Sequence, residues 1–315
     1  MVSSSNGHQP VLLEEVLECL KPDGADFIVD CTFGRGGYSA AILNMLDQDG
    51  RVMAMDADPA AIAHGERVFK NEPRLTLVHK NYDMLLEALQ SLGWPVKVNG
   101  IVFDLGVSSP QLDDASRGFS FKNDGPLDMR MNPQAGITAA DWLSTVSLQE
   151  LTKVIGMLGE EKQSGRIARR IVDYRQHSRF ESTAQLAEIV AQAIPERDRR
   201  QRKIHPATKT FQAIRMKINE ELEHLERALS AALEVLAVEG VLAVVTFHSL
   251  EDRIVKRMFR HCVQDDGLPE RLPVKASELK KNFADVARLV IPSATEIQNN
   301  PRARSAKLRA IRKLL

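Results

Sequence analysis

Cysteine is scarce in this chain of 315 residues: Cys19, Cys31 and Cys262 are scattered, and no two form a Cys-x-x-Cys pair. An odd, dispersed set argues against a disulfide framework or a structural zinc site and fits thiols in a reducing compartment. Cys31 reads as a small buried strand residue rather than a reactive thiol. Long apolar runs are absent too, so no segment reaches the length that spans a bilayer. The polar stretch Met1–Pro10 is followed by Val11–Leu20, which carries Glu14, Glu15 and Glu18, and no secretory segment fits there. A cytoplasmic protein with no membrane partner is therefore expected. Net charge is missing as well, with 42 Lys and Arg balanced by 42 Asp and Glu. There is no internal repeat and no low-complexity tract.

The balance hides an uneven distribution. Residues 197–217 hold eight Lys or Arg against one acid, and from Ile297 onward there are six and none. Two basic blocks in a neutral chain can present a positive face to a polyanion, or can simply be two solvated surfaces. Charge alone does not choose between them. The apolar fraction of 43% and charged fraction of 27% are those of an ordinary globular protein with ample core.

What is present is concentrated near the N-terminus. Residues 30–37 read Asp-Cys-Thr-Phe-Gly-Arg-Gly-Gly, directly after the apolar run Phe27-Ile28-Val29. Twenty residues past Gly36, Asp56 closes a second apolar run, Val52-Met53-Ala54-Met55. This is the wiring of a nucleotide-binding βαβ unit: glycines let the backbone turn and approach a ligand, and the acid accepts hydrogen bonds from ribose hydroxyls.

The strand signals are Phe27–Asp30, Val52–Asp56, Leu75–His79 and Gly100–Asp104, continuous apolar runs of the kind buried on both faces of a parallel sheet. Helix-length segments Tyr38–Leu46, Pro59–Lys70 and Met84–Leu92 lie between them, giving an open α/β sheet with ligands at the carboxyl ends of its strands. Residues 112–136 are rich in Asp, Gly, Pro, Ser and Asn and read as a long loop. Three helical faces follow: Leu148, Leu151, Ile155 and Leu158; Ile167, Ile171 and Tyr174; Leu186, Ile189 and Ala193. A single long helix is then predicted from Phe211 through Leu236, stopped by Gly240. The strand Val241–Phe247 comes next, followed by a helix whose Ser249 and Asp252 have the spacing of a capping box. The tail from Arg302 fits either a strand, through Ala306, Leu308 and Ala310, or a helix, through Leu308, Ile311 and Leu315. The expected architecture is α/β, a Rossmann-like sheet formed by residues 1–111 and 205–315. A loop and helical insertion at 112–204 is the expected substrate-recognition domain.

The ligand has an adenosine, and the spacing narrows which one. A dinucleotide fingerprint wants a third glycine three residues after the second, but Ser39 stands there and Gly37 sits beside Gly36. No Gly-Lys-Ser/Thr follows, so a phosphate-binding P-loop is excluded. S-adenosylmethionine needs an adenosine site without a pyrophosphate clamp, and its cationic sulfonium suits carboxylates. Asp30 and Asp104, at predicted strand ends facing the crevice, provide them, although Asp30 could instead cap a turn.

Longer motifs carry a resemblance. These are Asp30-x-Thr-x-Gly-x-Gly-Gly, Asp104-Leu-Gly-Val-Ser-Ser-Pro-Gln-Leu-Asp113, Arg117-Gly-Phe-Ser-Phe121, Asp124-Gly-Pro-Leu-Asp-Met-Arg130, His205-Pro-Ala-Thr208, Thr210-Phe-Gln-Ala213, Phe247-His-Ser-Leu-Glu-Asp-Arg253 and Asn300-Pro-Arg-Ala-Arg-Ser305. Running from His8 almost to the C-terminus, the chain resembles the bacterial ribosomal RNA small subunit methyltransferase H family (RsmH, also called MraW). The resemblance implies a Rossmann-like methyltransferase sheet that uses S-adenosylmethionine to methylate the exocyclic N4 of one cytidine in the decoding region of 16S rRNA, free or in a partly assembled small subunit. It leaves open whether the chain is a homodimer. It places cofactor contacts on Gly36, Gly37, Tyr38, Asp56, Tyr82, Asp104 and Gln111, with no metal. Family members usually carry His where this chain has Tyr38, so a backbone contact survives there and an imidazole role does not. Tyr82 suits adenine.

For the reaction, an acceptor on an amino hydrogen would free the delocalised N4 lone pair. In-line placement against the methyl can supply about 7–11 kcal/mol at the upper end. The Asn/Asp/Ser-Pro-Pro-aromatic loop of many amino-methyltransferases is absent. Asp104, the Ser108 and Ser109 hydroxyls or loop carbonyls are the candidate acceptors, while Asp104 could equally contact only the cofactor. His248 could orient the base, accept a late proton, or be a structural histidine bonded to a loop carbonyl. Phe119 and Phe121 could stack on a flipped base or pack in a core. His205, Arg215 and Lys217 with Arg302, Arg304 and Lys307 are the candidates for RNA contacts. This reading needs Gly34–Gly37 and Asp104–Gln111 to open onto one crevice. A DNA amino-methyltransferase and a non-catalytic, cofactor-dependent RNA-binding or assembly protein are the alternatives. A nicotinamide dehydrogenase is disfavoured by the missing third glycine.

Overall fold

The apolar runs of the first hundred residues become parallel strands. In the computed structural model, which describes residues 10–94, 97–264 and 281–315, a short helix α1 (Leu13–Leu20) leads into β1 (Phe27–Asp30), α2 (Gly37–Met45), β2 (Arg51–Asp56), α3 (Pro59–Val68), β3 (Leu75–His79), α4 (Leu85–Ser91) and β4 (Val98–Asp104). The polar stretch 1–9, with His8, lies outside the described residues. Ile28, Val29, Val52, Met53, Ala54 and Met55 are almost completely buried, as expected for strands covered on both faces. Helix α3 starts where Pro59 pre-sets φ and where the Asp58 carboxylate accepts the Ala60 N–H at 2.9 Å.

The chain then leaves the sheet for a run of helices: α5 (Ser109–Asp113), α6 (Ala139–Thr145), α7 (Leu148–Met157), α8 (Ser164–Arg175), α9 (Thr183–Ala193), α10 (Glu196–Arg200) and α11 (Thr208–Ile218). It returns through α12 (Glu221–Val235) to β5 (Leu236–Thr246), α13 (Ser249–Gln264), β6 (Phe283–Val290), α14 (Ala294–Asn299) and β7 (Lys307–Lys313). Two compact units result, one of residues 1–106 with 223–315 and one of residues 107–222.

The first unit is a seven-stranded sheet in the order β3-β2-β1-β4-β5-β7-β6. Strands β1 to β5 pair in parallel, and β7 runs antiparallel to both β5 and β6. This is the expected Rossmann-like α/β arrangement. Its strand order reverses between β1 and β4, the switch point where such sheets bind ligands. The ambiguous tail is a strand: Leu308 and Ala310 are fully buried and pair with Val245 and Ala243. Strand β6 had no clear sequence signal. It sits at the sheet edge, and its residues are half-buried or exposed, so neither alternation nor a continuous apolar run marks it.

The predicted single helix from Phe211 to Leu236 is two helices. The Asn219 amide donates to the Met129 and Arg215 carbonyls at 2.8 and 2.9 Å and accepts the Met131 N–H at 2.7 Å, and Glu220 adopts φ +47°. The apolar stripe passes through the break without a phase change, so periodicity could not reveal it. The second helix also ends before Gly240, because Leu236 already pairs with Val98.

In the second unit, Leu127, Met129, Leu143, Leu151, Ile155, Ile167, Ile171, Leu186 and Ile214 form a core with almost no solvent exposure. The predicted faces on α7, α8 and α9 supply much of it. The loop 112–136 is pinned: Arg117 donates to the Arg130 and Met131 carbonyls at 3.0 and 2.8 Å. One basic residue of the 197–217 block is turned inward. Arg202 makes a two-pronged pair with Glu161 at 2.7 and 2.8 Å, and the Glu161 side chain is 2% exposed. Arg202→Ala strands that buried carboxylate and is expected to destabilise this unit by about 3–5 kcal/mol. Calorimetry should show an earlier transition; an unchanged melting curve would contradict it.

Candidate functional site

The glycine turn grows from β1. Asp30 is fully buried; its Oδ1 accepts the Thr32 N–H at 3.1 Å and its Oδ2 accepts the Ser39 hydroxyl at 2.7 Å. Both oxygens hold the turn, so Asp30 takes the capping role. Burial pushes its carboxyl up to about 6 against those hydrogen bonds, which lower it. Gly36 precedes α2 at φ +77°, and a Cβ there would lie 2.7 Å from the rings of Phe33 and Phe69. A Cβ on Gly37 would lie 2.3 Å from Pro10. Neither position has room for a larger residue.

Asp56, at the end of β2, reaches across to the turn. Its Oδ2 accepts the Gly34 N–H at 2.7 Å and its Oδ1 the Asp58 N–H at 2.8 Å. Withdrawal from water raises its carboxyl to about 6. The acid twenty residues past the turn therefore sets the turn's shape.

Asp104 closes β4 on the other side of the switch point. Its N–H donates to Thr32 Oγ1 at 2.6 Å, which ties β4 to the turn after β1. Its Oδ1 is buried and has no hydrogen-bond partner among the described residues. Burial first, then the neighbouring Asp30 and Glu251, push its carboxyl up to about 8. A buried oxygen without a donor among like charges is a site for a cation or a strong hydrogen-bond donor. Gly34–Gly37, Asp56 and Asp104 thus share one edge of the sheet.

The other candidates take varied places. Tyr38 is 3% exposed and its hydroxyl donates to the Val11 carbonyl, so its side chain belongs to the core and only its backbone remains for a ligand. Tyr82, after β3, is half-buried and meets Phe103 edge-on with ring centroids 5.8 Å apart. Cys31 is buried, and burial holds its thiol well above its usual range.

His248 and Glu251 correct the predicted capping box by one residue. Helix α13 begins at Ser249, so His248 is the cap. Its Nδ1 accepts the Glu251 N–H at 3.4 Å, and Glu251 Oε2 accepts the His248 N–H at 3.3 Å and the Phe247 N–H at 2.9 Å. The His248 Nε2 lies 3.0 Å from Glu251 Oε1. The ring is held at Nδ1 by the Glu251 N–H, while Nε2, though close to the carboxylate, makes no hydrogen bond among the described residues. Asp252 turns instead to β7, accepting from Lys307 and Arg309, each at 2.8 Å. Glu251 is the residue sequence reasoning passed over; its signal was the three-residue spacing from a histidine at a helix start.

Ser108, Ser109 and Gln111 belong to the helical unit. Ser108 and Gln111 form the capping box of α5, with the Ser108 N–H donating to Gln111 Oε1 at 2.9 Å, so the Ser108 hydroxyl and one Gln111 oxygen are already engaged. In the same unit Phe119 is buried in the core, and Phe121 packs against His205 and Phe211 at 4.6 and 4.9 Å. Both phenylalanines therefore take the packing role. Arg215 makes a two-pronged pair with Glu221 at 2.7 and 2.8 Å and is not free for phosphate. Lys217 lies 3.7 Å from Glu150 at the surface, and His205 is exposed, its Nδ1 accepting the Ala207 N–H at 3.2 Å. Arg302, Arg304 and Lys307 are in the sheet unit, the two arginines exposed and Lys307 half-buried.

A sequence model of one family, the MraW methylase family, matches residues 5–314. Named relatives are similar along nearly their whole lengths. The "Ribosomal RNA small subunit methyltransferase H" of Coxiella burnetii (strain CbuG_Q212) is 47% identical over 309 residues, 98% of this chain and 99% of its own. The protein of the same name from Nitrosococcus oceani is 48% identical over 309 residues, 98% of this chain and 97% of its own. That from Idiomarina loihiensis is 47% identical over 316 residues, 100% of this chain and 99% of its own.

Proposed function

Since the chain belongs to the MraW methylase family, we propose that it is a small-subunit ribosomal RNA methyltransferase that takes a methyl group from S-adenosylmethionine and places it on the exocyclic N4 of one cytidine of 16S rRNA. Its substrate would be rRNA, free or within a small subunit or late assembly particle in the cytoplasm, with residues 107–222 as the substrate-recognition part. Among the described residues no helix is long and apolar enough to cross a membrane.

The observation that carries the reading is the partnerless, buried Oδ1 of Asp104 in an acidic crevice at the sheet's switch point. S-adenosylmethionine supplies a methyl group on a positively charged sulfur, and carboxylates of this kind fit that charge. Asp56 would accept the ribose hydroxyls with the lone pairs that Gly34 and Asp58 leave over. Gly36, Gly37 and the backbone of Tyr38 would let the chain approach the ligand closely, and Tyr82 would lie against the adenine.

The same residues account for the nucleophile. With positive charge beside it, Asp104 ionises below its raised value. Its free oxygen can then accept an amine hydrogen, which localises the N4 lone pair for attack on the methyl carbon. The carbon–sulfur bond breaks as the carbon–nitrogen bond forms, and N4 afterwards loses a proton to solvent. Among the acceptors the motif offers, Ser108 is engaged in the α5 cap and Asp104 Oδ1 is free. His248, held at Nδ1 by the Glu251 N–H, would orient the base.

The test is incubation with methyl-labelled S-adenosylmethionine and, separately, immature small subunits, naked 16S rRNA and DNA. Label recovered as N4-methylcytidine from the ribosomal substrates is expected. Label in DNA alone, or cofactor binding with no label anywhere, would overturn the reading.

A further inference from the structure

The sheet's one antiparallel strand has a consequence at the reactive edge. Because β7 runs opposite to β5, Thr246 at the end of β5 pairs with Lys307 at the start of β7. The basic turn before β7 therefore lies at the same edge as Asp104, although about two hundred residues separate them in sequence. Between that turn and the start of α13 is a cavity of about 300 Å³, lined among others by His248, Ile291, Pro292, Ile297, Arg304 and Lys307.

Its lining combines two chemistries. Ile291, Pro292 and Ile297 supply its apolar lining, and Ile291 is 64% exposed, so its side chain is available to a ligand. The rest of the lining includes two cations, Arg304 and Lys307. Arg304 is exposed and has no ion pair or hydrogen bond among the described residues. Lys307 shares the single carboxylate of Asp252 with Arg309, so two cations meet one anion and a positive charge is left over.

We infer that this cavity binds one nucleotide of single-stranded RNA, its base against Ile291, Pro292 and Ile297 and its phosphate on Arg304 and Lys307. The inference rests on the proposed RNA substrate and extends it. The bound nucleotide is a neighbour of the target cytidine, not the target itself. Asp104 ends β4, and the cavity opens beyond β5 at β7, two strand spacings or about 10 Å away, the reach of an adjacent nucleotide. Apolar side chains beside an excess of positive charge recognise a flat base joined to an anion, and stacking-plus-phosphate contacts tolerate many sequences.

The test compares Arg304→Glu and Ile291→Asp with Arg260→Glu. All three positions are exposed. Arg260 lies eleven residues along α13 from Ser249, roughly 16 Å from the cavity, and its reversal changes net charge as Arg304→Glu does. Fluorescence anisotropy would follow a labelled single-stranded RNA carrying one cytidine, with and without an abasic residue beside that cytidine. Calorimetry would follow S-adenosylhomocysteine. Arg304→Glu and Ile291→Asp are each expected to weaken RNA binding about tenfold, with cofactor affinity and the effect of Arg260→Glu within about twofold. The abasic residue should weaken wild-type binding and leave Ile291→Asp unaffected. Equal losses for Arg304→Glu and Arg260→Glu, or unchanged RNA affinity in Ile291→Asp, would overturn the inference. Because the readout is binding, a wild type that binds RNA at this cavity yet transfers no methyl defeats the proposed reaction and not the nucleotide site.

Discussion

Asp104→Asn is expected to make the ligand-free chain more stable and the methyl donor bind more weakly. The two effects have one cause. The folded chain holds the Asp104 carboxyl at about 8, through burial and through Asp30 and Glu251, while an unfolded chain returns it to its ordinary value near 3.8. For a group raised on folding, stability is fully present below the unfolded value and is lost as pH rises toward the folded one. Wild type should therefore lose melting temperature between about pH 4 and pH 8 from this group, and Asn, which cannot ionise, should not. Each displaced unit is about 1.4 kcal/mol; half of the displacement gives about 3 kcal/mol, or roughly 6 °C at the scale of a large domain. The gap between variant and wild type should be small near pH 5 and widest near pH 8.

Binding should change in the opposite sense. The donor differs from its demethylated product by a methyl group and a positive charge, and only an ionised Asp104 gains from that charge. Wild-type affinity for S-adenosylmethionine should rise from pH 6 to pH 8 with release of a proton, detectable by calorimetry in buffers of different ionisation enthalpy. In Asp104→Asn the pH slope should vanish and affinity should fall about 10- to 100-fold, the size of a lost attraction between opposite charges partly shielded from water. S-adenosylhomocysteine should lose much less. A variant that keeps both donor affinity and pH slope would remove Asp104 from the cofactor site.

The parts of this molecule that sequence revealed are those whose causes are local. Strands β1 and β3 could be bounded to the residue, because short, mainly apolar runs stop there at polar residues, although only β1 is buried and β3, at the sheet edge, is half-buried. The glycine turn and Asp56 were legible for the same reason: a backbone that must pass Phe33, Phe69 and Pro10 admits only glycine, and that requirement is written at the position itself. What sequence hid depends on distant partners. The break at Asn219 is made by carbonyls and an N–H in the loop near Met129, ninety residues upstream, while the apolar stripe continues undisturbed. Arg215 looked like a phosphate ligand, and Arg202 counted toward a basic block, because charge counts do not show which cations face a buried acid. The Asp104 N–H bond to Thr32 and the return of β7 to the same edge are products of topology, with no trace in either segment alone.

Asp56→Ala should weaken cofactor binding by on the order of 100-fold, since a charged acceptor shared by two hydroxyls is worth about 1.5–3 kcal/mol per hydrogen bond. The loss has two parts. One is direct, the missing acceptor for the ribose. The other is conformational: the same carboxylate accepts the Gly34 and Asp58 N–H groups, so its removal frees both ends of the turn that approaches the ligand. A 2′-deoxyadenosyl analogue separates them. If Asp56 holds the 2′-hydroxyl, wild type should bind the analogue more weakly than S-adenosylhomocysteine, and Asp56→Ala should hardly distinguish the two, the coupling that a double-mutant cycle measures. If Asp56 only shapes the turn, the analogue should lose the same factor in both proteins. Its raised value of about 6 adds a sign. Protonation removes an acceptor, so wild-type affinity for S-adenosylhomocysteine should fall as pH drops through 6, and Asp56→Ala should show no such fall. Full cofactor affinity in Asp56→Ala at pH 7 would take the adenosine site away from the end of β2, and with it the alignment of Gly34–Gly37 and Asp104 around one ligand.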